Sequence, residues 1–157
     1  MTEPGKPTFI QQEGETDVLT ALRESEARLR AAIDASESGT FHWNIRTNVL
    51  IWDDALDRLF GLPPGETARS LENFIAMVHT NDRALVIAAC EACAATGVDF
   101  SGEFRVVRPN GEVRWLYDRG KTSLGPDGRP SMMTGACVDV TDRRLASAAL
   151  AASEKIG

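Results

Sequence analysis

Two tight-turn signals in the last third of the sequence constrain the fold more than any other feature. Pro109-Asn110-Gly111 contains the Asn-Gly pair, which accepts the positive φ angles of a two-residue hairpin turn. Gly125-Pro126-Asp127-Gly128 is a second turn signal. The segments beside the two turns, residues 100–108, 113–117 and 132–140, are typical of β-strands. Two adjacent hairpins predict a three-stranded antiparallel meander.

Two more strands are predicted near the start of the chain. Phe41, Trp43 and Ile45 alternate with polar residues, which is the period of a strand with one covered face. A turn at residues 46–48 then leads into the apolar run at residues 49–52, which is a second strand candidate.

The region between the two groups of strands has helical patterns. Asp53 or Asp54 can cap a short helix, and residues 71–78 form a second one. Thr80 is predicted to be the N-cap of a longer helix that Gly97 closes. All five strands can form one antiparallel sheet only if these helices cross one of its faces. The predicted fold class is therefore α+β, a five-stranded antiparallel sheet with helices on one face.

Amphipathic helices are predicted at both ends of this core. Residues 1–16 contain two prolines and two glycines and are predicted to be a disordered lead. An N-terminal helix follows over residues 17–36, the core occupies residues 37–141, and a C-terminal helix occupies residues 142–157. The N-terminal helix has a narrow apolar stripe, formed by Val18, Leu22, Leu29 and Ile33. We expect this stripe to form the interface of a parallel homodimer, and packing of the helix on its own sheet is the alternative.

Charge and composition exclude several classes of protein. The chain has 157 residues, of which 43% are hydrophobic, and this predicts a single core. A formal net charge of −6 and the absence of a basic stripe argue against binding to nucleic acid. No apolar run approaches the roughly 20 residues of a membrane span, so direct membrane insertion is not expected. A polar N-terminus and an odd number of cysteines, three, predict reduced thiols and a cytoplasmic location.

Five segments together match the signature of a known family. They are residues 25–29, residues 39–44 (Gly-Thr-Phe-His-Trp-Asn), residues 79–82 (His-Thr-Asn-Asp), residues 103–115, and residues 135–143, which end in Asp-Val-Thr-Asp-Arg. In this order the segments resemble the PAS family, in the branch found in bacterial sensor kinases and cyclases. The resemblance covers residues 26–144. One departure is Thr80, where the family usually has proline.

The resemblance implies a sensory module of a signal-transduction protein. It places a kinase or cyclase output domain after the C-terminal helix, and we expect that domain to be absent from this chain, which is therefore not an enzyme. No nucleophile with a base and no phosphate-binding loop is found in the sequence. Two interpretations stay open: a sensor that responds to a ligand or to redox state, and a ligand-free module for dimerisation or protein interaction.

Small side chains on the long helix predict a modest apolar pocket between that helix and the sheet. The candidate residues are Val86, Cys90, Phe104, Trp115 and Cys137. Close packing without a cavity is the alternative. Cys90 and Cys93 have metal or redox spacing, but no second pair completes a site, so a packing role is favoured.

The sequence also narrows the cofactors that the resemblance implies. Blue-light flavin adducts need a cysteine within an Asn-Cys-Arg-Phe motif, and the chain has no such motif. The only histidines are His42 and His79, one on the first strand and one before a helix, so histidine-ligated haem is not expected. Non-covalent flavin or another small molecule stays open, and the cofactor is unknown.

Three polar residues lie where the last strand meets the C-terminal helix. Asp139, Thr141 and Arg143 can cap the helix and bond to the backbone, which would couple the strand to the helix direction. Capping alone and signal transmission are compatible roles.

Overall fold

The structure is a computed structural model that describes the backbone of residues 9–156 and the side chains of residues 14–32 and 35–154. The chain divides after Ser36 into two units. The first contains helix α1 (Phe9–Ala35). The second contains, in order, β1 (Gly39–Asn44), β2 (Val49–Trp52), α2 (Asp54–Leu59), α3 (Leu71–Met77), a 3-10 turn (Thr80–Asp82), α4 (Arg83–Thr96), β3 (Phe100–Val107), β4 (Val113–Leu124), β5 (Pro130–Asp139) and α5 (Thr141–Ile156).

Helix α1 begins earlier than the sequence predicted. It starts at Phe9, so the predicted disordered lead is wrong for residues 9–16, and residues 1–8 lie outside the described residues. All the prolines of this region precede Phe9, and the following stretch is rich in glutamine and glutamate, which favour helix. Three members of the predicted stripe, Val18, Leu22 and Leu29, are exposed. The side chain of Ile33 lies outside the described part of the chain.

The five strands form one antiparallel sheet in the order β2-β1-β5-β4-β3, which confirms the predicted fold class. The β3–β4 and β4–β5 hairpins are the predicted meander, and β1 joins it through β5. Alternation places one set of side chains on the inner face of the sheet, under the helices. Among them are Phe41, Trp43, Phe104, Leu116, Met133 and Cys137, all buried.

Two contacts on the inner face need glycine. A Cβ on Gly39 would lie 2.6 Å from the Cα of Leu56, so α2 can approach β1 closely only because Gly39 has no side chain. Gly135 faces Gly120 across the β4–β5 pair, and a Cβ on Gly135 would lie 2.1 Å from the carbonyl oxygen of Arg119. The ring of Phe41 lies over this glycine pair.

The caps of the helices agree with those predicted from the sequence, with one exception. Asp53 caps α2, and Gly97 ends α4 in the left-handed conformation with φ 80°, as predicted. Thr80 is not the N-cap of the long helix. The His79 side chain instead accepts from the Asn81 N–H and starts the 3-10 turn. Because the Asp82 carboxylate bonds to Arg105, it makes no capping bond at the start of α4.

Within the described residues, no helix combines the length and the apolar character that a membrane span requires.

Candidate functional site

A small cavity lies between the inner face of the sheet and the helices that cross it. Its volume is about 40 Å³, which on the same measure accommodates about three water molecules. Aromatic and aliphatic side chains form most of its wall: Phe41, Trp43, Leu50, Trp52, Leu56, Phe60, Leu71, Phe74, Phe100 and Met133. The remaining lining residues are Cys90, Asp118 and Cys137.

The two indole N–H groups of this wall already have acceptors. Trp43 donates to the Asn48 side chain at 3.0 Å, and Trp52 donates to the Asp57 carboxylate at 2.6 Å. Asp57 is buried, and burial raises the pKa of its carboxyl. The other polar side-chain groups that line the cavity are the Asp118 carboxyl and the thiols of Cys90 and Cys137.

Asp118 is the most unusual residue of the cavity. Its side chain extends from β4 into the core, where the residue is only 6% exposed. The Cys137 thiol lies opposite on β5 and hydrogen bonds to the carboxyl. Among the described residues, the Oδ1 atom of Asp118 is the one buried side-chain oxygen or nitrogen without a hydrogen-bond partner. Burial raises the pKa of Asp118 to about 7, so the group changes charge near neutral pH.

Sequence reasoning missed Asp118, although a signal was present. Residues 116, 118 and 120 share one face of β4, and neither Leu116 nor Gly120 has a polar side chain. An acid between these two residues on a strand with apolar neighbours is a candidate for a buried, functional carboxyl.

The structure places the predicted pocket residues in three different environments. Cys90 and Cys137 line the cavity. Val86 and Phe104 are buried in the adjoining core but do not line it. The prediction of Trp115 as a pocket residue is wrong. Alternation along β4 puts Leu116 and Asp118 on the inner face of the sheet and Trp115 on the outer face.

The three thiols are buried and held in the protonated form. Burial raises the pKa of Cys90 to about 12 and that of Cys137 well above its ordinary value. Burial also raises the pKa of Cys93, which bonds to Thr122. Since the thiolate is the reactive and metal-binding form, these cysteines act as small apolar residues.

Neither cofactor implied by the family resemblance fits this cavity. His42 shares a hydrogen bond with Thr134 at 2.8 Å, His79 starts the 3-10 turn, and neither histidine lines the cavity. Pockets for drug-sized molecules have volumes of roughly 300–1,000 Å³, and both haem and flavin need such space. A cavity of about 40 Å³ therefore fits only a much smaller molecule.

A second group of polar contacts connects the sheet to α5. The Asp139 carboxylate accepts from Arg114 at 2.7 Å and from the Thr141 N–H at 2.9 Å. The Thr141 hydroxyl oxygen accepts from the Trp115 backbone N–H at 2.8 Å. Burial opposes the ionisation of Asp139, but the bonds from Arg114 and Thr141 hold its pKa below the ordinary value. We call Arg114, Trp115, Asp139 and Thr141 the junction.

Two arginines in the first turns of α5 add to the junction on the outer face. Arg143 and Arg144 both pair with Glu103 of β3, Arg144 at 2.6 Å. The Arg144 guanidinium also lies 3.6 Å from the ring centre of Trp115. Arg143 was predicted at this place from the sequence, whereas Arg144 was missed because the outer-face position of Trp115 was not foreseen.

Comparison with known proteins decides the family. The family model described as PAS fold matches residues 49–137, which is more than half of the chain. The chain belongs to the PAS family. The blue-light-activated histidine kinase of Brucella anthropi is 31% identical to this PAS domain over 146 residues, covering 93% of the chain but only 29% of the kinase. The PAS domain thus spans less than a third of the length of that relative.

Solved structures agree with this assignment. A sensory box histidine kinase/response regulator from Burkholderia thailandensis superposes with a TM-score of 0.70 and is 28% identical, with 82% of this chain and 95% of that chain covered. The N-terminal domain of a diguanylate cyclase with a PAS/PAC sensor from Marinobacter aquaeolei superposes with a TM-score of 0.64 at 20% identity. That match covers 68% of this chain and 98% of that one, and it shows a shared fold.

Proposed function

We propose that this PAS domain is the sensory input module of a bacterial signal-transduction protein, a histidine kinase or a cyclase. In this proposal a small molecule binds in the cavity, and α5 transmits the response to an output domain. The observation that carries the proposal is the position of β4. This strand presents Asp118 to the cavity and, three residues away, bonds through Trp115 to Thr141 of α5.

The proposed transmission follows from these contacts. A ligand that contacts Asp118 stabilises one position of β4 relative to β5, because the two strands are paired at Asp118 and Cys137. The same two strands contribute Trp115 and Asp139 to the junction. A change in strand register therefore alters the direction or the stability of the first turn of α5. A ligand shifts this equilibrium by its difference in affinity for the two states.

Blue-light adduct formation is not part of the proposal. The Brucella kinase is named for activation by blue light. The present chain contains no Asn-Cys-Arg-Phe motif, and its three cysteines are buried thiols with raised pKa values.

Junction variants test transmission. In a chimaera that joins this PAS domain through α5 to a histidine-kinase output region, Asp139→Asn and Thr141→Val should change the rate of autophosphorylation severalfold. Glu154→Gln, an exposed carboxylate on the same helix, is the control and should leave the rate unchanged. Folded junction variants that autophosphorylate at the parental rate would contradict the proposal.

A second function, dimerisation through α1, is supported by the exposed stripe of Val18, Leu22 and Leu29. A second copy of the chain presents the same narrow stripe, so a parallel pair of α1 helices covers both at once. Sedimentation at tens of micromolar should give a dimer for the parent chain. Leu22→Glu and Leu29→Glu should give monomers, while Ala27→Glu, on the opposite face of α1, should stay dimeric. A monomeric parent chain would refute this second function.

A further inference from the structure

We propose that the cavity binds a small protonated alkylamine, whose N–H group donates to Asp118 and whose apolar body packs against the surrounding aromatic rings. This inference rests on the proposed function only in taking the cavity as the sensory site. It adds the chemical class of the ligand and the residue that selects it.

Asp118 Oδ1 is buried, lacks a partner among the residues that the structure describes, and belongs to a cavity-lining side chain. A buried polar atom without a partner destabilises the fold, and a donor supplied by a ligand removes that cost. The indoles of Trp43 and Trp52 cannot supply it, since both donate elsewhere. In its ionised form, Asp118 therefore lacks a hydrogen-bond donor.

An ionised carboxylate in an apolar site needs a cation, because an unpaired buried charge is strongly disfavoured. Aromatic side chains, including Phe41, Trp52 and Phe100, make up much of the wall, and the faces of such rings attract cations. A protonated amine satisfies both requirements, since it donates a hydrogen bond and neutralises Asp118. A neutral alcohol satisfies only the first, and an anion satisfies neither.

The cavity has about 40 Å³, room for about three water molecules, so the matching ligand has roughly three or four heavy atoms. n-Propylamine meets this limit. The strongest binding known per heavy atom sets its Kd at roughly 10⁻⁵–10⁻⁴ M or weaker.

Binding of the amine should depend on pH. The titratable groups that interact with Asp118 are Cys137 on β5 and Cys90 and Cys93 on α4. The thiols stay protonated to pH 8, because burial raises their pKa values. Asp118, with a pKa of about 7, is therefore the group that titrates between pH 6 and 8. Affinity for the amine should rise about tenfold over this range, as Asp118 changes from mostly neutral to mostly ionised.

The experiment is an amide-resolved NMR titration of the whole chain with n-propylamine, n-propanol and propionate, which have similar size and different charge. We expect the amine alone to shift the amide signals of Asp118, Cys137 and Cys90. Asp118→Asn should weaken amine binding at least tenfold at pH 8, and Asp54→Asn, an exposed carboxylate on α2, should bind like the parent. Calorimetry of the parent chain at pH 7 in two buffers should show release of about half a proton per amine bound.

Three results would overturn the inference: no shift of cavity amides by the amine, binding to Asp118→Asn within twofold of the parent, or equal binding of propanol. The proton-release measurement needs no variant, and its absence would also overturn the inference if Asp118→Asn fails to fold. Any of these results would refute the amine as the ligand and would leave the proposed function untouched. Transmission through the junction is tested separately by the autophosphorylation of the chimaera.

Discussion

The hydroxyl oxygen of Thr141 accepts a hydrogen bond from the backbone N–H of Trp115 at 2.8 Å, which bonds the first residue of α5 to β4. The backbone N–H of Val140 donates to the carbonyl oxygen of Trp115 at 2.8 Å, so both backbone groups of one strand residue are used at the junction. Thr141 is 6% exposed, and water does not readily replace its hydroxyl. The start of α5 is therefore fixed by the sheet.

Thr141→Val should lower the free energy of unfolding by about 1–3 kcal/mol, because it leaves the Trp115 N–H buried without an acceptor while keeping the shape of the side chain. Urea denaturation measures the change, and hydrogen exchange should show faster exchange at the start of α5. Thr47→Val, in the exposed turn between β1 and β2, is the matched control and should change stability by less than about 0.5 kcal/mol. Equal losses in both variants would remove the special role of Thr141.

Asp118 should make the stability of the domain fall between pH 4 and pH 7. Its pKa is raised by burial from the ordinary 3.8 to about 7. Below pH 4 the carboxyl is protonated in both the folded and the unfolded chain. As the pH rises to 7, the unfolded chain releases this proton first, and the folded state loses stability. Above pH 7 the loss is complete and amounts to about 4 kcal/mol, since one pKa unit corresponds to about 1.4 kcal/mol.

Asp118→Asn removes this effect while keeping the size of the side chain. Between pH 5 and pH 8, the parent chain should lose about 2–3 kcal/mol of stability relative to the variant, measured by urea denaturation at both pH values. Other carboxylates titrate equally in both proteins and cancel in the difference. Asp54→Asn should follow the parent profile. Parallel profiles of the parent and Asp118→Asn would show that Asp118 does not titrate in this range.

Glu103 should stabilise α5 weakly and in a salt-dependent way. Hydrogen bonds from Arg144 and Arg143 hold its pKa below the ordinary value, but both arginines are at least two-fifths exposed. Glu103→Gln should therefore cost less than about 1 kcal/mol at low salt, and the difference should shrink in 1 M NaCl. Denaturation at the two salt concentrations tests this. Glu91→Gln, an exposed carboxylate on α4, is the control for general charge effects and should show no salt-dependent loss of stability.

The architecture could be predicted from the sequence because its signals are local. The Asn-Gly turn, the alternation around Phe41 and the cap at Asp53 each act over a few residues, and each agrees with the structure. Half of the junction could be predicted for a similar reason, since Asp139 and Thr141 are neighbours in sequence and bond to each other. Arg114 and Trp115 were not predicted there, because they come from a distant strand.

The face of β4 could not be predicted from local signals. Val113, Trp115 and Tyr117 are the more apolar set on this strand, and alternation alone favours turning them inward. The structure turns them outward, because Arg144 of α5 covers Trp115 there. The inner face at this place also has little room, since Phe41 and Met133 lie over Gly120. The contact between Arg144 and Trp115 and the packing over Gly120 both join distant parts of the chain, so local patterns do not reveal them. For this reason the inward position of Asp118 was not predicted.

The glycine pair of β4 and β5 gives the last prediction. A Cβ at Gly135 would lie 2.1 Å from the carbonyl oxygen of Arg119 and 2.6 Å from the Cα of Gly120, so the two strands would have to separate. Gly135→Ala should therefore cost 3 kcal/mol or more, roughly the range of severe overpacking, and should also disturb the nearby Asp118–Cys137 pair. Thermal and urea denaturation measure the loss.

Gly102→Ala is a control with the same chemical change in the same sheet. A Cβ at Gly102 on β3 meets no atom within 4 Å, so the variant should keep or slightly raise stability, since alanine restricts the unfolded chain more than glycine. If Gly135→Ala were as stable as Gly102→Ala, the close approach of β4 and β5 would not hold in solution. The geometry that places Asp118 opposite Cys137 would then be wrong as well.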